Sequence, residues 1–155
     1  MTYNADRYTD IGMEYNQPVD IAGTLCKSNC LTMGETQSTG ASGSYTYSQS
    51  KKTFCNDNTR ECKPAYSGYK GETDQTKRGL GPIPKGSYTI ENSCKNDRER
   101  CNLKPDTTNN MYGRDRFQIH GDNGKNDQSA SQGCIIVDKN GRRELNKGDR
   151  VYVTD

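Results

Sequence analysis

The stretch that decides the fold is residues 131–137, Ser-Gln-Gly-Cys-Ile-Ile-Val. A short polar turn that contains glycine runs directly into three β-branched residues, which is typical of a loop entering a buried strand. Cys134 lies where the turn becomes strand. Residues 117–123, Phe-Gln-Ile-His-Gly-Asp-Asn, show an apolar strand that ends at His120 and is followed by a glycine turn. If these two strands pair, Cys134 and His120 lie at the ends of adjacent strands.

Together these residues predict a cysteine nucleophile, Cys134, with His120, the single histidine, as its base. A neighbouring imidazolium lowers the pKa of a thiol from about 8.5, so that reactive thiolate forms near neutral pH. Gly133 permits a sharp turn, and the amides of Gly133 and Cys134 are expected to form an oxyanion hole. Asp122 either orients His120 or only forms the turn. Taken singly, a cysteine entering a strand and a lone histidine are more often structural, and it is their combination that favours catalysis.

The cysteine count supports the same prediction. The 155-residue chain is only 28% hydrophobic and has no tryptophan, so a thin core needs further support from disulfides. Disulfides persist in oxidising compartments such as the periplasm. Six of the seven cysteines are disulfide candidates, and pairing between neighbours is one of several connectivities: Cys26 with Cys30, Cys55 with Cys62, and Cys94 with Cys101. Cys134 is left over. With no Cys-x-x-Cys motif and one histidine, no metal site is expected.

The pattern along the chain predicts one domain that is mainly β. Short alternating segments rich in Tyr, Thr, Val and Ile, separated by Gly, Asn, Asp and Pro, begin at Ser44. We predict a disulfide-stapled β-sandwich of short antiparallel strands with few helices over residues 44–155. Residues 1–43 end in a Gly- and Ser-rich run and are predicted to be an N-terminal appendage and flexible linker. The predicted strands are 44–48, 53–55, 61–65, 86–91, 116–120, 134–137 and 150–154, and turns are expected at 56–58 and 139–141.

Charge and hydropathy exclude two classes of partner. The 22 basic and 20 acidic residues are interspersed, so no nucleic-acid patch is evident. No run approaches the roughly 20 apolar residues of a transmembrane segment, and the N-terminus lacks the apolar core of a secretory signal. An oxidising location therefore implies either a trimmed chain or export that needs no cleavable signal.

With these motifs in view, residues 44–155 resemble the L,D-transpeptidase catalytic domain of the YkuD type. Its signature is a histidine followed by glycine and, further on, Ser-x-Gly-Cys, here His120-Gly121 and Ser131-Gln-Gly-Cys134. Residues 80–90, Leu-Gly-Pro-Ile-Pro-Lys-Gly-Ser-Tyr-Thr-Ile, are similar to a strand lead-in of the L,D-transpeptidase effectors delivered by type VI secretion. Tyr66, Ser67 and Gly68 resemble the segment that precedes it and are a possible substrate groove. Many members carry an arginine after Cys-Ile, where this chain has Ile136.

The resemblance implies a cysteine-dependent enzyme acting on peptidoglycan stem tetrapeptides, as an L,D-carboxypeptidase, a D-amino acid exchanger or a cross-linking transpeptidase. Ser131, Gly121 and Asp122 would support the site, and no cofactor would be needed. A secreted antibacterial effector acting in the periplasm of a target bacterium is expected, with a secretion apparatus and a cognate immunity protein as possible partners. Two alternatives are a housekeeping cross-linking enzyme and a non-catalytic, disulfide-rich binding or inhibitor module.

Overall fold

The computed structural model describes residues 42–155, which form eight short strands in one closed barrel. The elements, in chain order, are β1 (Ser44–Ser48), β2 (Thr53–Asn56), β3 (Cys62–Tyr66), a 3-10 turn (Tyr69–Gly71), β4 (Gly86–Ile90), β5 (Cys101–Pro105), β6 (Gln118–His120), β7 (Ile135–Val137), α1 (Lys139–Arg143) and β8 (Arg150–Thr154). The strands are hydrogen-bonded in the order β8-β1-β2-β3-β7-β6-β5-β4, and β4 pairs back with β8.

The prediction of a mainly β, disulfide-stapled domain with few helices is confirmed. Six of the eight strand pairings are antiparallel, whereas β8 with β1 and β6 with β7 are parallel. Parallel neighbours need a connection longer than a hairpin. Residues 121–134 provide it between β6 and β7, and the closed order leaves no strand edge unpaired.

The core lies inside the barrel and follows the alternation of the strands. Tyr45 and Tyr47 of β1 point inward, as do Val151 and Val153 of β8, while their neighbours in sequence are more exposed. All three residues of β7 are buried, as the continuous Ile-Ile-Val run predicts for a strand covered on both faces. The largest side chains with no more than 1% exposure are Tyr47, Tyr88, Ile83, Ile90, Ile119, Ile135, Leu145, Val137 and Val151.

Two elements differ from the sequence-based prediction. β5 was not expected, because Asn102 and Lys104 interrupt a segment in which only Cys101 and Leu103 point inward. Residues 139–141 were predicted to form a tight turn, but they begin α1. Asp138 caps this helix through a 2.7 Å hydrogen bond from the Gly141 amide to its side chain.

Two disulfides join neighbouring cysteines, Cys55 with Cys62 and Cys94 with Cys101. The first links the paired strands β2 and β3, and the second closes the charged loop 95–100 before β5. The suggested Cys26–Cys30 pair and the appendage prediction for residues 1–43 fall almost wholly outside the described residues. Within residues 42–155, no helix is long and apolar enough to cross a membrane.

Candidate active site

The parallel pairing of β6 and β7 brings the predicted nucleophile and base to one surface. Ile119 lies opposite Ile135, and His120 lies opposite Ile136. Ile119 and Ile135 point into the barrel, so the alternation of side chains places His120 on the outer face. Cys134 immediately precedes Ile135, so the same alternation, continued one residue before β7, places it on that face and diagonal to His120. Diagonal neighbours on a sheet are roughly 7–8 Å apart between Cα atoms, so the imidazole has to cover most of the distance to the short cysteine side chain.

Cys134 is half-buried and carries the only free thiol among residues 42–155. Burial raises its pKa, and the backbone amide of Gln118 and the positive charges of Arg100 and Arg114 lower it to a smaller extent. The thiol is therefore protonated at neutral pH. No hydrogen bond joins it to the His120 ring in the described part of the chain, as is common in catalytic sites without substrate.

The orientation of His120 is fixed by its own neighbour in sequence. Its Nδ1 lies 2.9 Å from the carbonyl oxygen of Gly121. A carbonyl can only accept, so Nδ1 carries the hydrogen and Nε2 is left with a lone pair. Burial lowers the pKa of His120, and the charges of Arg100 and Arg142 add to this, against the opposing effect of the Gly121 carbonyl. The ring is thus a neutral base at neutral pH.

The two pKa shifts change the protonation state that is expected of Cys134 and His120 at rest. The sequence predicted an imidazolium that stabilises a thiolate, but the pKa of each group moves toward its neutral form. Desolvation is the largest cause at both groups, because both side chains are partly enclosed and a charge there loses hydration. The pair is a thiol beside a neutral imidazole, which suits proton transfer during attack rather than before it.

Asp122 does not hydrogen-bond to the ring. Its Oδ1 accepts a 2.8 Å hydrogen bond from the Tyr66 hydroxyl and another from the Asn123 amide. The group that orients His120 is therefore the Gly121 carbonyl. A backbone carbonyl leaves no signature in sequence beyond the His-Gly pair, which is why the side chain of Asp122 was the candidate considered.

Ser131 organises the turn that carries the nucleophile. Its side chain is fully buried, accepts hydrogen bonds from the amides of Gly68 (3.0 Å) and Gly133 (3.1 Å), and donates to the carbonyl of Cys134 (2.6 Å). Ser67 supports the same turn, since its hydroxyl donates to the Gly133 carbonyl (3.0 Å) and accepts from the Ile83 amide (2.8 Å). Ser67 and Gly68 are buried and hold the turn in place.

Gly133 occupies a position that no larger residue fits. Its φ is +135°, and a Cβ there would lie 2.7 Å from Nη2 of Arg114 and 2.8 Å from the Phe117 ring. Its amide is engaged with Ser131, so the predicted oxyanion hole would require this amide to exchange Ser131 for the substrate oxygen. The Gln118 amide, which faces the sulfur, is a further donor beside the thiol.

Two buried arginines lie behind the site, and sequence reasoning missed both. Arg114 donates to the carbonyls of Gln75, Gly81, Pro82 and Gln132. Arg142 donates to the carbonyl of Val137 (2.6 Å) and to the backbone and carboxylate of Glu99. In sequence they resemble the other basic residues, which are mostly exposed, and only the barrel's connections place these two inside.

Two cavities flank the site. One, of about 280 Å³, lies at Cys134 and is called here the arginine cavity; its lining is Arg78, Gly79, Arg114, Asp115, Arg116, Phe117, Gln132, Gly133 and Cys134. The other, of about 400 Å³, runs past Tyr66, Asp122 and Ile136. Tyr66 is one of its lining residues, and its role in a substrate groove stays a prediction. No group of three or more His, Cys, Asp or Glu in residues 42–155 is placed to hold a metal ion.

Comparison with known proteins gives one family match and distant structural likenesses. A family model described as the Tlde1 domain matches residues 61–151, and no curated protein matches the chain. An L,D-transpeptidase from Xylanimonas cellulosilytica is 13% identical, with a TM-score of 0.46 over 76% of this chain and 63% of that one. L,D-transpeptidase 1 of Mycobacterium tuberculosis is 14% identical, with a TM-score of 0.45 over 75% and 60%. The chain spans less than two thirds of either protein's length.

Proposed function

Because the chain belongs to the Tlde1 domain family, which agrees with the resemblance of residues 44–155 to L,D-transpeptidase effectors, we propose that it is a peptidoglycan-modifying cysteine enzyme. Its activity is that of an L,D-carboxypeptidase, a D-amino acid exchanger, or both, on stem tetrapeptides. The observation that carries the proposal is the half-buried thiol of Cys134 on the same sheet face as His120, whose Nδ1 is held by the Gly121 carbonyl.

The first half of the reaction forms a thioester. As Sγ of Cys134 attacks the carbonyl carbon at the L-centre of the diamino acid, its proton passes to Nε2 of His120. Negative charge develops on the carbonyl oxygen, and nearby backbone amides stabilise it. The C–N bond to the terminal D-alanine then breaks, and the imidazolium returns its proton to the departing amine.

The second half of the reaction decides the product. Neutral Nε2 takes a proton from water or from the amine of a D-amino acid as that molecule attacks the thioester, and Cys134 leaves as a thiol. Water gives a tripeptide, and the amine gives a tetrapeptide with a new terminal residue. His120 and Cys134 are only partly buried, so either acceptor can approach the thioester.

The compartment in which the protein acts is part of the same proposal. Disulfides at Cys55–Cys62 and Cys94–Cys101 favour an oxidising compartment, which agrees with an effector that acts on the wall from the periplasm of a target bacterium. Delivery by a secretion apparatus and neutralisation by a cognate immunity protein complete this proposal.

The test is incubation of the full chain with purified muropeptide tetrapeptides, with and without a D-amino acid, followed by mass spectrometry. A tripeptide product identifies hydrolysis, and a mass-shifted tetrapeptide identifies exchange. Cys134→Ala and His120→Gln should each abolish turnover, while Ser50→Ala, at an exposed turn position, should retain it. Formation of cross-linked dimers alone would favour a housekeeping cross-linker. Stem-peptide binding without any product would favour a non-catalytic module and refute the proposal.

A further inference from the structure

The arginine cavity has a charge composition that the thiol–imidazole pair does not explain. Three arginines and one acidic residue, Asp115, line it beside Cys134. Arg114 is 4% exposed, and its guanidinium is fully engaged with backbone carbonyls. The available cations are Arg78 and Arg116, both exposed. Arg78 donates to the Gly113 carbonyl, and among residues 42–155 the guanidinium of Arg116 makes no hydrogen bond or ion pair.

The backbone at Arg116 fixes where its side chain lies. Its φ is +64°, a left-handed conformation that costs energy for a residue with a Cβ and that asparagine or glycine adopts more readily. The next residue, Phe117, is buried against Arg114. The left-handed backbone thus leaves the Arg116 side chain exposed at the cavity, which the buried Phe117 ring also lines.

The position of the cavity relative to His120 indicates which part of a substrate enters it. The residues that line it precede β6 and β7, whereas His120 ends β6. Along the strands, therefore, Cys134 lies between the cavity and the imidazole. Because His120 must reach the departing amine, the acyl part of the substrate extends away from it, toward Arg78 and Arg116.

We propose that Arg78 and Arg116 bind a carboxylate on the acyl part of the stem peptide and so select acidic donors. This rests on the proposed function above. Guanidinium groups pair with carboxylates through charge-assisted hydrogen bonds. Two groups in a stem supply this chemistry: the carboxylate at the D-centre of a diaminopimelate residue and the α-carboxylate of D-glutamate.

The experiment measures kcat/KM with four tetrapeptides that have each carboxylate either free or amidated. Arg116→Ala and Arg78→Ala should each lower kcat/KM for the donor with both carboxylates free by about tenfold to hundredfold, mainly through KM. The donor whose amidation removes this loss identifies the bound carboxylate. Arg60→Ala is the matched control, since Arg60 is also an exposed arginine with positive φ (68°), located in the β2–β3 turn at the far end of β3.

The outcomes separate this inference from the proposed function. Equal losses with free and amidated donors, or losses under about twofold, would overturn the subsite while leaving the enzyme in place. If no donor is turned over, the same peptides are titrated into Cys134→Ala protein by calorimetry. Binding that weakens on amidation and in Arg116→Ala would support the subsite without the enzyme, and absence of such binding would refute both.

Discussion

Replacing Ser131 with alanine removes one hydroxyl that three backbone groups share. Its oxygen accepts from the amides of Gly68 and Gly133, and its proton goes to the Cys134 carbonyl. The side chain is fully buried, so water does not take over these bonds without rearrangement. Each buried amide left without an acceptor costs about 1–3 kcal/mol. Two such amides predict a loss of about 4 kcal/mol, which is a large share of a typical stability of about 5–15 kcal/mol.

The assay is urea denaturation followed by circular dichroism, because the chain has no tryptophan to report by fluorescence. Ser131→Ala should lower the free energy of unfolding without a change in the urea dependence, which would show that the variant unfolds as cooperatively as the parent. Ser50→Ala, a surface serine in a turn, should change it by less than about 0.5 kcal/mol. A loss below about 1 kcal/mol for Ser131→Ala would refute the idea that this hydroxyl holds the nucleophile turn.

Three further predictions concern the charge, orientation and support of the site. Burial raises the pKa of Cys134, so its alkylation by iodoacetamide should be slower at pH 7 than that of an unfolded peptide and should become faster through alkaline pH. The rate is measured by mass spectrometry. A rate at pH 7 above that of the unfolded peptide would contradict a thiol that is protonated at rest. Tyr66→Phe removes the hydrogen bond to Asp122 but leaves His120 on the Gly121 carbonyl, so kcat should fall less than about tenfold; a fall of about a hundredfold would show that Asp122 positions the ring. Replacing both Cys94 and Cys101 by serine opens the loop that their disulfide closes at a sequence separation of 7. The free energy of unfolding, measured in urea, should fall by about 2.5 kcal/mol. An unchanged value would show that this disulfide does not stabilise the fold.

Much of the fold could be predicted because the hydrophobic pattern of most strands matches the burial of their side chains. Buried side chains alternate with more accessible ones in β8 and in the first four residues of β1, and β7 is a continuous apolar run, so the period of the sequence matches the geometry. β5 escaped prediction because its inward residues are a cysteine and one leucine between polar neighbours. Its strand character comes from pairing with β4 and β6 rather than from its own composition.

The candidate site was predictable in its reactive atoms but not in its environment. Residue type and order single out Cys134 and His120 as the candidates, and this assignment stays a prediction, since it depends only on how few side chains can act as a nucleophile and a base at neutral pH. The neutral resting state follows from burial, which depends on how loops pack over the outer face. The Gly121 carbonyl that orients His120 belongs to the backbone and is therefore invisible to any argument based on side-chain type.

The glycines of the two motifs acquire a common explanation from the buried arginines. A Cβ on Gly121 would lie 2.7 Å from Nη1 of Arg142, and one on Gly133 would lie 2.7 Å from Nη2 of Arg114. Gly121 therefore leaves room for the Arg142 guanidinium next to His120. Gly133 leaves room for the Arg114 guanidinium next to Cys134. The two charges act in opposite senses on the chemistry, because Arg142 lowers the pKa of His120 and keeps it a neutral base, while Arg114 lowers the pKa of Cys134 and partly offsets its burial. The thiol has the higher pKa, so Arg114 narrows the gap between the two pKa values, whereas Arg142 widens it. Only the cation behind Gly133 therefore reduces the free energy needed to move the thiol proton to Nε2. The glycine-bearing turns thus set the charge around the candidate nucleophile and base through the cations they admit as well as through the shape of the backbone.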